Sequence, residues 1–398
     1  MDDLIRDAGS EASGSDLIST DEVRASVREY FAGKPGLVEV RRRRDECDSA
    51  AAVSDYEIPD RAGFDRDGWS VLAQRLGLIG LVAPERWGGL GLNLAYAVAA
   101  VEECGAVLYP GPVRASILLA LALRHIDSKD VPIELRSSVE DFLCGVMIAG
   151  APVRDDEAVL PELRDGRVSG RAVAVTHGAV AGLVICTVRT QAGPAVALAV
   201  PAARPTKVTR TSVPTVDLAT PLADVVLTDV PAVLLTTPGN QQALQEHQNV
   251  SAVLLAAEQV GGAQGCLGQM VDYAKVREQF GVLIGTYQAI QHRCAETVVA
   301  TAAARALVAS ASDALDAGDE RVGEQLTLLA RADAADAFTA ASSSLIQVMG
   351  GIGFTWEHDA HLYFRRARAS AAIGGTPSEL RDRAVESGCL RLLLDGVS

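Results

Sequence analysis

The chain has 398 residues, and 48% of them are hydrophobic, so it is long and apolar enough to bury a large core. Its formal net charge of −15 at pH 7 argues against nucleic acid and anionic membranes as partners, because their phosphates would repel it. No uninterrupted apolar run reaches the roughly 18 residues of a membrane span, and the acidic N-terminus does not resemble a signal peptide. Together with seven cysteines that form no C-x-x-C pair, these features predict a cytoplasmic protein with reduced thiols.

The N-terminal third predicts a helical domain behind a short tail. Residues 1–19 are rich in Ser, Asp, Glu and Gly, and we expect them to form a mobile tail. Between 20 and 145, apolar residues recur at three- and four-residue steps, which is the spacing of one helix face. Four residues that show this spacing are Trp69, Leu72, Leu76 and Ile79. The glycine-rich segment 84–91 is predicted to be a connector between helices.

Residues 146–238 have the pattern of a small β-domain. Four short runs rich in β-branched residues are separated by Gly and Pro at intervals of roughly ten to twenty residues, which favours an antiparallel barrel or sandwich. The runs are 173–176, 183–188, 195–200 and 224–227. Pro238 and Gly239 mark the end of this domain.

Residues 239–398 are rich in alanine and predict a helical bundle. Apolar residues repeat every seven positions, which indicates the buried seam of a long antiparallel bundle helix. The repeat consists of Val253, Val260, Leu267 and Ala274. On the other faces, Gly261, Gly262 and Gly265 permit close approach of a second helix, although each lowers helix propensity by about 1 kcal/mol. Packing must supply that difference, and we expect this helix to be buried in an oligomer.

Three segments of the bundle region carry a family resemblance. They are Arg277-Glu278-Gln279-Phe280-Gly281, Gln288-Ala289-Ile290-Gln291 and Gln347-Val348-Met349-Gly350-Gly351-Ile352-Gly353-Phe354. They resemble the FAD-binding framework of the acyl-CoA dehydrogenase family, and the helix–sheet–helix order matches over about residues 20 to 390. The resemblance implies an α+β multi-domain fold with an N-terminal helical domain, a middle antiparallel β-domain and a C-terminal four-helix bundle that builds a tetramer.

The same resemblance implies a set of cofactor-binding residues. Arg277 would pair with the pyrophosphate of FAD bound mainly to a neighbouring subunit, while Phe280 and Gln288 would contact the adenine end. Gln347 and the backbone at Gly350 and Gly351 would complete that pocket. Thr176 would lie at the flavin N5 edge, and Thr376 belongs to the implied set as well. The competing interpretation is that Arg277 pairs with Glu278 or Glu296 on the surface and that the glycines only form turns.

The β-domain departs from the family pattern. Ala174 stands where the family carries a tryptophan beside the flavin ring, and segment 153–157 contains nothing similar to the usual flavin and substrate loop. A missing indole and missing loop bonds would weaken binding of the ring by several kcal/mol, on the order of what such contacts contribute.

The catalytic base is missing from both positions that the family uses. One branch of the family places a glutamate at the position of Gly374, and another places it at the position of Ser251. Neither residue is an effective proton acceptor, so the sequence predicts no catalytic residue in this chain. Glu258, seven residues after Ser251 on the same predicted helix, is predicted to be a buried residue at the edge of the bundle.

Two further clusters contain side chains that could bind a metal or a charged partner. The run Glu357-His358-Asp359-Ala360-His361 lacks the histidine spacing of a helical zinc motif, so it is predicted to be a turn between helices, and no metal is expected. Arg365, Arg366 and Arg368 are predicted to serve the bundle surface or subunit contacts.

Taken together, the residues and the resemblance predict a flavoprotein subunit that supports FAD-dependent α,β-dehydrogenation of an acyl-CoA thioester. The segment from Phe354 to Pro377 is similar to actinobacterial acyl-CoA dehydrogenases of steroid catabolism, a branch of lipid metabolism in which unlike subunits form heterotetramers. The implied partners are a paralogous subunit that carries the base and an electron-transfer flavoprotein. Two alternatives remain open: a flavin-dependent monooxygenase of the same fold, which needs no base, and a structural subunit without flavin.

Overall fold

The computed structural model describes residues 18–32, 37, 40–41, 64–154 and 158–389. Most of the predicted tail over 1–19, Cys47 and part of the predicted divergent loop at 153–157 lie outside the described residues. The N-terminal helices are α1 (Thr20–Phe31), α2 (Arg66–Ser70), α3 (Leu94–Ala106), α4 (Val113–Ala122) and α5 (Ile133–Leu143). The prediction of helices in this region is confirmed.

The helical periodicity around Trp69 continues further than the helix itself. Helix α2 passes into one π-helical turn, Val71–Arg75, and Leu76 and Ile79 then lie in turns. Gly77 has a φ of +63°, a left-handed conformation that ends helical geometry without a steric penalty. Ile79 is fully buried nonetheless. Its three-residue spacing from Leu76 therefore indicates a buried position, and the prediction that Ile79 is helical was wrong.

The middle of the chain forms a seven-stranded sheet that closes on itself. Its strands are β1 (Ala149–Gly150), β2 (Glu162–Arg164), β3 (Arg167–Thr176), β4 (Leu183–Thr190), β5 (Gly193–Ala199), β6 (Val208–Val213) and β7 (Leu222–Leu234). Strand pairing runs β4-β2-β3-β7-β5 and returns to β4, while β1 adds to β4 and β6 adds to β7. Most pairs are antiparallel as predicted, but β1 and β2 run parallel to β4.

The sequence did not reveal strands β2 and β6. Both have mainly polar residues, and β6 alternates half-buried and exposed positions without a buried apolar face. Hydrophobic patterning is the main signal of a strand, so an edge strand with little burial gives none.

The C-terminal region is a helical bundle. Its helices are α6 (Gln241–Val276), α7 (Gln288–Asp316), α8 (Glu320–Met349), α9 (Ala360–Ala371) and α10 (Pro377–Glu386), and a short hairpin of β8 (Glu278–Gln279) and β9 (Val282–Leu283) connects α6 to α7. The predicted seven-residue seam of α6 is buried along its whole length. The glycines beside it allow α3 to lie directly against α6, because a Cβ at Gly261 would be 1.9 Å from the carbonyl oxygen of Glu102.

Two helices in the described part of the chain are long and apolar enough to cross a membrane by length and composition alone, Gln288–Asp316 and Glu320–Phe354. They were not apparent as uninterrupted apolar runs because occasional charged residues interrupt the alanines. Half of the apolar window in the second helix is buried by its neighbours, as expected for a bundle helix, against 28% in the first. The first helix therefore presents an uncovered face.

Candidate active-site cavity and nucleotide-binding surface

A cavity of about 270 Å³ lies where the sheet, α4, α6, α8 and the segment before α10 meet. Ser251 of α6 and Gly374 of that segment both line it, and so does Thr176 at the end of β3. The two positions at which the family places its base are far apart in sequence, yet the fold brings them to one site. The cavity is therefore the candidate site of proton abstraction, and this role stays a prediction.

No carboxylate is found among the described residues that line this cavity. Its ionisable side chains are those of Arg114, Arg154, Arg331, Arg383 and His247, together with the thiol of Cys186. His247 lies one helical turn before Ser251, and burial followed by the nearby His125 lowers its pKa to about 4. An imidazole with so low a pKa is neutral at pH 7 and is a weak proton acceptor. The described lining thus holds no effective base.

Glu258, seven residues beyond Ser251 on α6, is held in an ion-pair cluster at the cavity wall. Its Oε2 lies 2.9 Å from Arg114 Nε, and its Oε1 accepts a hydrogen bond from Arg366. Arg366 also donates to Asp217, so two cations face two anions. Glu258 is largely buried, which agrees with its predicted place at the edge of the bundle.

Arg366 was predicted to serve the bundle surface, and the structure corrects this. Its residue is only 7% exposed. Burial alone would lower the pKa of Arg366, but the charges of Asp217 and Glu258 outweigh burial and raise the pKa. The apolar spacing of α9 gave no hint of this because both anions come from distant segments.

Arg331 of α8 is buried without a carboxylate partner among the described residues. It is 3% exposed, donates to Gln259 Oε1, and donates to the carbonyl oxygen of Ile373 at 2.9 Å. Gln259 Nε2 in turn donates to Ser370 Oγ at 3.0 Å. Burial, followed by repulsion from Arg114, lowers the pKa of Arg331 to about 10. This arginine was missed by sequence analysis, although a lone cation among buried alanines of a core helix is a usable signal.

The β side of the cavity uses its polar atoms internally. Thr176 Oγ1 donates to the carbonyl oxygen of Ala151 at 3.1 Å and accepts from the Ala151 amide at 3.3 Å. Ala174 has a φ of +50° within a β-bulge, and its amide donates to Asp224 Oδ1 at 2.8 Å. Ala174, where the family carries a tryptophan, therefore lies at a bend of β3 and is hydrogen-bonded to Asp224 of β7. The role of Thr176 at a flavin stays a prediction.

A second surface collects most of the predicted nucleotide-binding residues. The end of α6, the start of α7 and the end of α8 meet around one apolar cluster at the same end of the bundle. We call the residues exposed there the clasp surface, and they are Arg277, Phe280, Gln288, Gln347, Gly350 and Gly351. Six of the eight predicted cofactor-binding residues are thus brought together, whereas Thr176 lies at the cavity and Thr376 caps α10 through reciprocal bonds with Glu379.

The clasp surface is open to a ligand. Arg277 forms no ion pair with Glu278 or Glu296, both of which the structure describes, so the surface-pairing interpretation has no support there. Phe280 is 95% exposed. A Cβ built at Gly350 or Gly351 would meet nothing within 4 Å, which leaves room for phosphate oxygens close to the backbone. These features fit a nucleotide tail, and the individual roles stay predictions.

Glu357, His358 and Asp359 lie in the turn before α9, as predicted, whereas Ala360 and His361 begin that helix. Asp359 pairs with Arg41, and His358 Nδ1 accepts a hydrogen bond from the Ala360 amide at 3.0 Å. Within the ranges that the structure describes, no group of three metal-ligating side chains is assembled.

Comparisons with known proteins give a consistent result. The model of the acyl-CoA dehydrogenase C-terminal domain matches residues 239–387, and that of the N-terminal domain matches residues 38–127. Acyl-CoA dehydrogenase IpdE2 of Mycobacterium tuberculosis is 34% identical over 84% of this chain and 90% of its own length.

Solved structures share the fold. The ChsE4-ChsE5 complex from Mycobacterium tuberculosis superposes with a TM-score of 0.74 at 22% identity, covering 95% of this chain and 97% of the other. A single-residue variant of the steroid ACAD Tcur3481-Tcur3483 gives a TM-score of 0.76 at 22% identity, covering 95% of this chain and 99% of the other.

Proposed function

The chain belongs to the acyl-CoA dehydrogenase family of FAD-dependent oxidoreductases, and we propose that it is the base-lacking subunit of a heteromeric member. One observation carries the proposal. The cavity at which both family base positions meet holds Gly374 and Ser251, and no carboxylate occurs among its described lining residues. Because a general base contributes roughly 10²–10⁴-fold to the rate, the effective base must belong to another chain.

The chain's own contribution is to hold the nucleotide end of a cofactor. When bound, FAD supplies the acceptor for the hydride that leaves the substrate Cβ. Arg277 would donate charge-assisted hydrogen bonds to the pyrophosphate, while Gly350 and Gly351 let its oxygens approach the backbone. The polar atoms of Thr176 and Ala174 are already bonded within the sheet, so this chain offers little to the ring of a flavin in its own β region.

The partner we propose is a paralogous subunit. The structures named ChsE4-ChsE5 and Tcur3481-Tcur3483 each contain two differently named components, which is the precedent for such a pair. Exposed apolar side chains near the clasp surface and on α7 would need a covering chain. They include Val276, Phe280, Val299 and Phe354, which are 73%, 95%, 69% and 79% exposed.

We extend the proposal to substrate, electron acceptor and location. The word steroid in the name of one solved structure supports an acyl thioester from steroid catabolism as substrate. An electron-transfer flavoprotein would reoxidise the cofactor, and the complex would work in the cytoplasm. The relatives reported above are acyl-CoA dehydrogenases, so the monooxygenase alternative has no support.

Co-expression with a paralogous dehydrogenase subunit from a neighbouring gene tests the proposal. We expect the chain alone to purify with little flavin, and the complex to carry FAD and to dehydrogenate an acyl-CoA. A colourless and inactive complex would instead indicate a structural subunit. A fully flavinated, active oligomer made of this chain alone would refute the division of labour.

Within the complex, Arg277→Gln isolates the clasp surface. Loss of one charge-assisted hydrogen bond should weaken FAD binding by about 10- to 150-fold, equivalent to ~1.5–3 kcal/mol. Arg164→Gln is the matched control, because Arg164 lies on β2 and its side chain pairs only with Glu162 in the described structure. Equal FAD affinity in both variants would show that the clasp surface does not bind the nucleotide.

A further inference from the structure

The cavity described above has an unbalanced positive charge. Arg114 in its lining and Arg366 behind it are matched by Glu258 and Asp217, as two cations and two anions. Arg331 is the third buried cation, and its guanidinium reaches only the neutral oxygens of Gln259 and Ile373. Glu258 attracts Arg331 without a hydrogen bond between them. A buried charge without a bonded counter-charge is costly, so an anion that enters beside it gains more than it would at the surface.

Two further arginines extend this charge toward solvent. Arg154 and Arg383 line the same cavity and are exposed, and neither forms an ion pair with another described residue. The cavity is therefore lined by a buried arginine, Arg331, and by two exposed ones. An anion that enters this cavity can therefore contact arginines at both its exposed and its buried lining.

Part of the remaining lining is apolar, beside polar side chains of α6 and α8. Leu118, Leu254, Leu255, Leu328 and Leu380 are all buried and come from four different helices. A bare inorganic anion would leave these side chains against water, whereas an organic anion would cover them. The volume of about 270 Å³ corresponds to the share of roughly nine water molecules, which suits a small organic molecule.

We propose that this cavity binds a small organic carboxylate, with its carboxyl group on Arg331 and its apolar body against the leucines. The family's substrate is a thioester, which has no charge at its reacting end, so a carboxylate site is a different function for this part of the fold. Binding of a carboxylate in this cavity requires neither the clasp surface nor turnover by the complex.

Calorimetric titration with hexanoate tests the site. The full-length chain or its purified complex should bind hexanoate saturably at one site per chain. Hexanamide has the same size and no charge, and inorganic phosphate has the charge and no apolar body. We expect both to bind at least about tenfold more weakly, since each lacks one half of the recognition. Equal affinity for hexanoate and hexanamide, or no saturable binding of hexanoate, would overturn the proposal.

Variants locate the carboxyl group. Arg331→Gln should weaken hexanoate binding by about tenfold or more, and Arg331→Lys should weaken it less because the charge remains. The double variant R154Q/R383Q changes only exposed side chains and should weaken binding severalfold, while R164Q should leave it unchanged. If circular dichroism shows that R331Q does not fold, the affinity of the double variant for hexanoate tests the assignment instead. Unchanged affinity in a folded R331Q, or in the double variant, would refute the assignment.

Discussion

Substitution of Gly261 by alanine tests whether the contact between α3 and α6 is as close as the structure shows. A Cβ at Gly261 would lie 1.9 Å from the carbonyl oxygen of Glu102 and 3.0 Å from the amide nitrogen of Ala106. These are backbone atoms of a helix, so they cannot move aside as a flexible side chain could. To restore an ordinary contact of 3.4 Å, the two helices must separate locally by about 1.5 Å, the difference between 3.4 and 1.9 Å.

The magnitude follows from two opposing effects. Overpacking of a core typically costs 1–3 kcal/mol, and a clash with rigid backbone belongs at about the upper end of that range. Alanine returns about 1 kcal/mol of helix propensity. We therefore expect Gly261→Ala to lower the free energy of unfolding by about 2 kcal/mol.

The same helix supplies a matched control. Gly268 lies seven residues further along α6, and a Cβ there would meet nothing within 4 Å. Gly268→Ala should raise stability by about 1 kcal/mol, because it gains propensity without a clash. For a chain of this length, with an unfolding entropy of about 2 cal/mol/K per residue, the melting temperatures of the two variants should differ by about 4 °C. A G261A protein that melts at or above the wild-type temperature would refute the close contact.

Three further predictions concern the buried charges and thiols. Arg366→Gln leaves Asp217 and Glu258 without their shared cation, so it should reduce the free energy of unfolding, measured by urea titration, by about 3–5 kcal/mol. Arg381→Gln is the control, because the ion pairs of Arg381 are exposed, and it should cost less than about 1 kcal/mol in the same titration. His247 is half-buried, and its pKa falls to about 4 in the folded chain, so the unfolded chain binds a proton first as pH drops from about 6.5 to 4. Folding stability should therefore decrease over that window, by up to ~3 kcal/mol. Unfolding curves of His247→Gln should show a smaller decrease, and an identical pH dependence would contradict the lowered pKa of this imidazole. Burial raises the pKa of the Cys104 and Cys266 thiols, whereas Cys144 is exposed. In a reaction with a disulfide reagent at pH 8, Cys144→Ser should therefore remove one equivalent of fast-reacting thiol, and Cys266→Ser should remove none. If Cys266→Ser also removed a fast-reacting thiol, α6 would be accessible to the reagent.

The sequence predicted features whose signal is local or periodic. The seven-residue seam of α6 was visible because every member of the repeat faces one side of a helix, and the structure buries all of them. The motifs around Arg277, Gln288 and Gln347 identified the family because they stand at its spacing, and the family models cover the same region. Strand β6 left no such signal, since a mostly exposed edge strand has no apolar pattern.

Charge placement was beyond the sequence. The motif that contains Arg366 shows a basic helix face, and nothing local reveals that Asp217 and Glu258, at least 100 residues away in the chain, neutralise it in the interior. The same holds for Arg331, which borders a cavity assembled from five segments.

The sequence by itself determined the family, the helix–sheet–helix order of the regions, and the substitution of both base positions by Gly374 and Ser251. Only the tertiary structure decided that these two positions share one cavity, and that arginines without a facing carboxylate line it among the described residues. The physical reason is that residue identity and spacing fix local conformation, whereas the electrostatic environment of a side chain depends on which distant segments are packed around it.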